Sequence, residues 1–250
     1  MRLIAAVSGS NGFIGKHLVK RLKELKIKVI PLDRKGNLPK QVDFIFDLAA
    51  YGNLSTQKDR KEIYRANVKR VVKLLDQVKT VIGIVLTSSS SVLLPVKTHY
   101  SISKEIVENL AEFYDDLPIV VARPSTVIGK GEPNIHLIPK LIDSCLNGTR
   151  MPFVESPTHD FISVRQYIED IIDLALNAQR LKGKVVNVSS GKSLSNKKIK
   201  DTVELYCKFK ANIEMVKSIH KYDTKDWKVK RSKYLGKVEH FVEDAIIEMI

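Results

Sequence analysis

Strand-like apolar runs at residues 3–7, 28–32, 44–48, 82–87, 119–122 and 185–188 are separated by stretches whose apolar positions follow a helical period. Ile14, Leu18, Leu22 and Leu25 fall on one face of a helix over residues 14–25. Comparable helical patterns cover 63–78, 100–113, 137–146, 167–177, 197–207 and 242–249. This alternation predicts an α/β fold with a doubly wound parallel sheet. One interval stands out. Only 14 positions separate Asp33 from Asp47, too few for a further strand with its crossover helix, so the sheet should be trimmed there. No internal repeat appears, and the serine run 88–91 is the one low-complexity tract.

At 250 residues and 44% hydrophobic content, the chain fits one domain spanning 1–250, with a small lobe built mainly from about 130–165 and 210–250. No apolar run approaches the ~18 residues of a membrane span. Met1 leads directly into the first strand-like run, so no signal peptide is expected. Cys145 and Cys207 are the only cysteines. They lack metal-type spacing and sit in helical patterns, which predicts core positions, no metal and a reduced, cytoplasmic setting. The net charge of +14 is compatible with nucleic acid, with an anionic substrate such as a nucleotide diphosphate, or with a Lys-rich solvated surface. No nucleic-acid motif accompanies it, so neither nucleic acid nor membrane is expected as a partner. The basic run 225–231 around Trp227 reads as a solvated segment or as a grip on phosphates. Met151 and Trp227 give no cofactor signal.

Gly9, Gly12 and Gly15 form G-x-x-G-x-x-G between the first strand and the first helix. Glycines there allow a tight turn and a close backbone approach to a pyrophosphate, and the helix amino end offers free N–H groups. Gly9, Asn11, Gly12, Phe13, Ile14 and Gly15 are the candidate phosphate-loop residues. Asp33 closes the second strand 18 residues after Gly15, where a carboxylate would hold ribose hydroxyls. The adjacent Arg34 could instead pair with a 2′-phosphate, so both NAD and NADP remain open.

Tyr100 and Lys104 are spaced i, i+4 and share a helix face. An ammonium near a phenol favours the phenolate and lowers its pKa, which would let tyrosine exchange a proton with a carbonyl or hydroxyl oxygen while hydride moves. The serine run closes the 82–87 strand, at the sheet edge where ligands bind, and a serine there can orient a substrate oxygen.

Taken together, the loop, Asp33, the serine run and the Tyr100/Lys104 pair resemble an extended short-chain dehydrogenase/reductase, of the epimerase/dehydratase branch acting on nucleotide sugars. The resemblance runs from Leu3 to about Val188, and weakly to Leu235-Gly236. Further matching segments are Asp47-Leu48-Ala49-Ala50, Asn67, Arg123-Pro124, Val127-Ile128-Gly129, Asp160-Phe161-Ile162-Ser163-Val164 and Asn187-Val188. It implies a Rossmann-type fold with a small C-terminal substrate lobe. Catalytic roles would fall to Ser89 (with Ser88 as the fallback), Tyr100 and Lys104. The cofactor would be held by the loop, Asp33, Arg34, Leu48, Ala49, Ala50, Asn67, Tyr100 and Lys104. Ser90, Thr126 and His159 would meet the substrate. A homodimer is compatible with it.

Departures fall on the substrate side. Leu93-Leu94 replace a Tyr-Gly pair, and Ser89 precedes Tyr100 by only 11 residues. Thr126 stands where many members carry Asn, His159 where many carry Arg, and Arg165-Gln166 where an acidic pair is usual. Ser90 and Ser91 occupy the positions at which dehydratases carry Asp and Glu, which argues against a 4,6-dehydratase. The run Ala49-Ala50-Tyr51-Gly52 is similar to that of 4-keto-6-deoxy sugar reductases. The expectation is an NAD(P)-dependent enzyme on a nucleotide sugar, foremost a 4-keto sugar reductase. The alternatives are a nucleotide-sugar 4-epimerase and a non-catalytic cofactor-binding sensor or scaffold.

Overall fold

The computed structural model describes residues 2–54, 56–217 and 227–250. They form two compact units, the first comprising 1–124 and 168–187, the second 125–167 and 188–250. In chain order the elements begin with β1 (Ile4–Ser8), α1 (Phe13–Glu24), β2 (Lys28–Pro31), β3 (Phe44–Asp47), α2 (Arg60–Tyr64), α3 (Arg70–Leu75), β4 (Gly83–Thr87), α4 (His99–Phe113) and β5 (Ile119–Pro124). They continue with β6 (Thr126–Ile128), α5 (Leu137–Asn147), β7 (Met151–Phe153), β8 (Thr158–Ser163), α6 (Val164–Leu176), β9 (Val185–Val188), β10 (Ser193–Ser195), α7 (Asn196–Cys207), β11 (Ile213–Met215) and α8 (Val242–Ile247). A π turn over Arg65–Lys69 joins α2 to α3, and a 3-10 turn over Ser90–Leu93 follows β4.

The first unit is built on a six-stranded sheet in the order β2-β1-β3-β4-β5-β9. The pairs from β2 to β5 are parallel, with Ala5 opposite both Val29 and Phe44, and Val85 opposite both Phe46 and Val120. β3 pairs directly with β1, so the short interval between Asp33 and Asp47 does trim the sheet. The residues of β3 and β4 are buried throughout, as expected of strands covered on both faces. Ile45, Leu74, Ile84, Leu86, Val107 and Val121 lie at the centre of the core. Helix α1 buries Gly15, Leu18 and Leu22. Leu25, placed on that face by periodicity, instead caps the helix and is exposed, because the chain turns at Lys26 with φ +60°.

The second unit carries a three-stranded sheet, β10-β8-β6, and a β11-β7 pair. All but the six-residue β8 escape periodicity, since three residues cannot display an alternation. The unit takes in 188–209 beyond the expected lobe because Ile199, Val203 and Cys207 of α7 pack with Leu141, Ile142 and Cys145 of α5 in one core. Both cysteines are buried free thiols. Lys225 and Asp226 of the basic run lie outside the described residues. In the remainder Lys228 and Lys230 are exposed, as a solvated segment requires, while Val229 is buried, the Trp227 amide donates to Thr158, and Arg231 donates to the Ser189 carbonyl oxygen. No helix among the described residues is long and apolar enough to cross a membrane.

Candidate active site

The glycine loop follows β1, a strand flanked by β2 and β3 inside the sheet. Its three glycines have distinct tasks. Gly9 has φ +65°, and a Cβ there would stand 2.9 Å from the Ala49 amide nitrogen. A Cβ on Gly15 would stand 2.0 Å from the Gly9 carbonyl oxygen, so helix and loop touch backbone to backbone. At Gly12 a Cβ would meet only the Gly9 oxygen, at 3.2 Å. Gly12 is also the N-cap of α1, and no side chain caps that helix end. Gly9 and Gly15 therefore fix the turn, while Gly12 keeps its outer side clear beside uncapped helix N–H groups. That cradle suits a pyrophosphate. Asn11 is exposed, and Phe13 and Ile14 are half-buried where the helix starts.

Asp33 and Arg34 are exposed just beyond β2. The Asp33 carboxylate accepts the Asn37 amide at 3.2 Å, Asn37 Nδ2 at 2.9 Å and the Lys35 amide at 2.9 Å, which lowers its pKa from the ordinary carboxylate value. The loop thus presents a fixed negative charge with a cation at its side.

Beneath the glycine loop lies a buried polar network that sequence reasoning missed. Arg70 donates to both oxygens of Asp47, at 2.7 and 3.0 Å, and to the Ala49 carbonyl oxygen at 3.2 Å. Ser8 donates to Asp47 at 2.5 Å and accepts from the Ala49 amide at 3.0 Å. This fixes the half-buried Leu48 and Ala49 and the exposed Ala50 beside the loop. Burial opposes the Asp47 charge, but Arg70 and Ser8 outweigh it and hold the carboxyl below its ordinary value. Asn67, in the π turn, exchanges hydrogen bonds with both backbone groups of Tyr51 and donates to Ser103 on α4 at 2.9 Å. Its amide is thereby committed to shaping the 49–52 run. Arg70, three residues beyond Asn67, was legible as its helical neighbour.

Helix α4 begins with a capping box: Thr98 accepts from the Ser101 amide, and Ser101 accepts from the Thr98 amide. Its buried face then carries Tyr100, Lys104 and Glu108 on successive turns toward the end of β4. The half-buried Ser89 hydroxyl accepts from the Ser91 amide at 3.2 Å and lies beside the Tyr100 phenol. The Lys104 ammonium donates to the Thr87 carbonyl oxygen at 2.7 Å. Ser88 is turned inward and donates to Glu108 at 2.5 Å, which leaves Ser89 as the serine that meets the phenol. Ser90 is buried in the 3-10 turn. Gly52 borders Tyr100: a Cβ there would stand 3.5 Å from Tyr100 Cδ2.

One electrostatic expectation is corrected. Tyr100 is not lowered toward neutrality but pushed up to about 12 by burial, with the Ser89 hydrogen bond opposing. Lys104 lies over the ring face, 5.8 Å from its centroid, and points at the backbone. Burial pushes Lys104 itself down to about 8, with the Asp47 charge opposing and Arg70 reinforcing the fall. Tyr100 is therefore a neutral phenol near pH 7, suited to giving a proton.

Thr126 and His159 belong to the second unit. Thr126 is exposed in β6 opposite Phe161. His159 is half-buried in β8 opposite Leu194, with its ring edge-on to Phe161 at 5.8 Å.

A glycine loop after a central parallel strand, at the carboxyl edge of a doubly wound sheet, defines a Rossmann-type dinucleotide-binding fold, with Ser89, Tyr100 and Lys104 gathered at the end of β4. The chain belongs to the NAD dependent epimerase/dehydratase family, whose model matches residues 5–189. Among its relatives, the UDP-2-acetamido-2,6-beta-L-arabino-hexul-4-ose reductase of Pseudomonas aeruginosa is 32% identical over 142 residues, covering 52% of this chain and 37% of that protein's length. The GDP-6-deoxy-D-talose 4-dehydrogenase of Aggregatibacter actinomycetemcomitans is 26% identical over 218 residues, 74% of each chain. The fold is that of Bordetella bronchiseptica WbmF in complex with NADH (TM-score 0.82, 23% identity, 99% of this chain and 90% of that one). It is equally that of the Thermotoga maritima UDP-glucose 4-epimerase with UDP-glucose (TM-score 0.85, 17% identity, 99% and 97%).

Proposed function

We propose that this chain is an NAD(P)H-dependent reductase of a 4-keto nucleotide sugar. The observation that carries the reading is the gathering of Ser89, the neutral Tyr100 phenol and Lys104 at the end of β4, with Ser90 and Ser91 where water elimination would need carboxylates. The names of the two curated relatives, a hexulose reductase and a deoxysugar 4-dehydrogenase, support it.

The glycine loop, Asp33, Arg34 and the 48–50 segment would hold the dinucleotide, and Lys104 would hold its nicotinamide end. The reduced cofactor, when bound, supplies the hydride. The chain's own part is the proton. Ser89 orients the sugar carbonyl oxygen, and Tyr100 gives it a proton as negative charge develops there, so that ketone becomes alcohol. The Lys104 cation lowers the cost of the phenolate left behind. Thr126 and His159 are the proposed substrate contacts of the second unit, and the surplus of +14 charges suits a nucleotide diphosphate. The free thiols are in keeping with a cytoplasmic setting.

The test is incubation with UDP-, GDP- and CDP-linked 4-keto-6-deoxy sugars and NADH or NADPH. A fall in reduced-nicotinamide absorbance, with a new alcohol found by NMR, supports the reading. Interconversion of two sugar nucleotides with no reductant consumed makes the protein a 4-epimerase, the second reading, which uses the same Tyr100 chemistry.

A further inference from the structure

The helical stretch from α2 to α3 changes its pattern at the π turn Arg65–Lys69, where the Arg70 amide donates to the Arg65 carbonyl oxygen, five residues back. Such turns are rare and recur at functional sites. The side chain this one delivers to the interior is Asn67, 1% exposed. Its Oδ1 accepts the Tyr51 amide at 2.9 Å, and its Nδ2 donates to the Tyr51 carbonyl oxygen at 2.8 Å and to Ser103 Oγ at 2.9 Å. Ser103, itself buried in α4, spends its single proton on the Tyr100 carbonyl oxygen at 2.7 Å. One chain of hydrogen bonds therefore runs from the Tyr51 backbone through Asn67 and Ser103 to the Tyr100 backbone. A second contact runs in parallel. Gly52 has φ +102°, and a Cβ there would stand 2.8 Å from Ile63 Cγ1 of α2 and 3.5 Å from Tyr100 Cδ2, so bare backbone lies against the Tyr100 ring.

We infer that Asn67 is a positioning residue that joins the 49–52 segment to the first turns of α4, so that the segment proposed to hold the dinucleotide and the Tyr100 phenol are placed as one body. The inference rests on the proposed roles of the 48–50 segment and of Tyr100. A buried side chain serving its own helix would bond to the preceding turn; the three bonds of Asn67 reach two other elements instead. The pair of bonds to Tyr51 is reciprocal and fixes both the position and the tilt of that residue's backbone. Without the Asn67 amide, the Tyr51 N–H and C=O would each lose a partner in a half-buried place, and the loop after β3 would be free to move away from α4. The sequence signal for Asn67 thus marks the alignment of two parts of the site before any ligand binds, rather than a side chain turned toward the cofactor.

The coupling is readable without substrate or cofactor. The full chain is prepared with 3-fluorotyrosine, and the Tyr51 and Tyr100 signals are identified in the 19F NMR spectrum as those absent from Tyr51→Phe and Tyr100→Phe. Asn67→Ala should shift both. Ser103→Ala cuts the bridge on the α4 side and should shift the Tyr51 signal, which lies across it. In the Asn67→Ala background, Ser103→Ala should move Tyr51 no further. Tyr114, which caps the far end of α4, should keep its signal throughout, as a general loosening of the helix would not allow. If Asn67→Ala does not fold, Ser103→Ala, a loss of one buried hydroxyl, carries the test through Tyr51 and Tyr114. A Tyr51 signal that ignores Ser103→Ala, or a Tyr114 signal that moves with it, overturns the inference and leaves the proposed function standing. Near-normal turnover in Tyr100→Phe would remove the proposed function and leave the measured coupling in place.

Discussion

The Lys104 ammonium lies 5.8 Å from the centroid of the Tyr100 ring and donates its proton to the Thr87 carbonyl oxygen, not to the phenol. The lysine of the i, i+4 pair is therefore a buried cation fixed on backbone, and its charge is sustained against burial by Asp47.

A buried ammonium is costly, which makes Lys104→Met informative. Lys104 is pushed from 10.5 down to about 8. Below pH 8 folded and unfolded chains both carry the proton, and the burial penalty is constant. Between pH 8 and 10.5 the unfolded chain binds more protons, so stability rises with pH. We expect Lys104→Met to unfold in urea with a stability raised by about 1–2 kcal/mol at pH 7, after the lost bond to Thr87 is subtracted from the relieved desolvation. That advantage should shrink toward pH 10, while turnover is lost. A variant less stable than wild type at pH 7 would show that Lys104 is held by stronger contacts than these.

The glycines should separate folding from binding. Gly15→Ala places a methyl 2.0 Å from the Gly9 oxygen and should destabilise the chain by at least ~2 kcal/mol. Gly12→Val has room to fold, since its Cβ meets only one atom at 3.2 Å, but its branches fill the cradle. Calorimetry should find NADH binding lost with the circular dichroism spectrum intact. Unchanged affinity in Gly12→Val would remove the phosphate-loop assignment.

Asp47→Asn leaves the Arg70 guanidinium, only 6% exposed, without its counter-charge, and should cost about 3–5 kcal/mol in urea unfolding. The Asp47 carboxyl is held below its ordinary value. Its contribution is therefore complete at neutral pH and is lost as pH falls through the folded-state value. Wild type should lose stability on acidification more steeply than Asp47→Asn. Because Asp47 supports the Lys104 charge, Lys104 should also titrate lower in the variant.

The parts of this molecule legible in its sequence are those fixed by local chemistry. Gly9 and Gly15 announce a turn because only glycine tolerates the backbone contacts made there, and Gly12 joins them because a side chain would fill the cradle. The buried strands announce themselves because both faces are apolar, and the short interval before Asp47 announces the trimmed sheet. Charge pairing is not local. Asp47 and Arg70 are 23 residues apart, as are few pairs that periodicity can connect, and Glu108 and Arg123 lie on different elements. Glu108 could have been found, since it continues the Tyr100, Lys104 spacing by one more turn. The Tyr100 pKa could not, because its direction depends on where the Lys104 side chain points. β6, β7, β10 and β11 span three residues each, too short to leave a period.

The most direct test is the turnover of Tyr100→Phe against a 4-keto nucleotide sugar, with NAD(P)H consumption followed by absorbance and cofactor affinity measured on the same preparation. Loss of the proton donor with the ring retained should lower kcat by at least ~100-fold and leave the NAD(P)H Kd within about twofold, since the phenol oxygen is not what holds the cofactor. Near-normal turnover in Tyr100→Phe would contradict the account, for it would place the proton donor somewhere other than on the Tyr100 phenol.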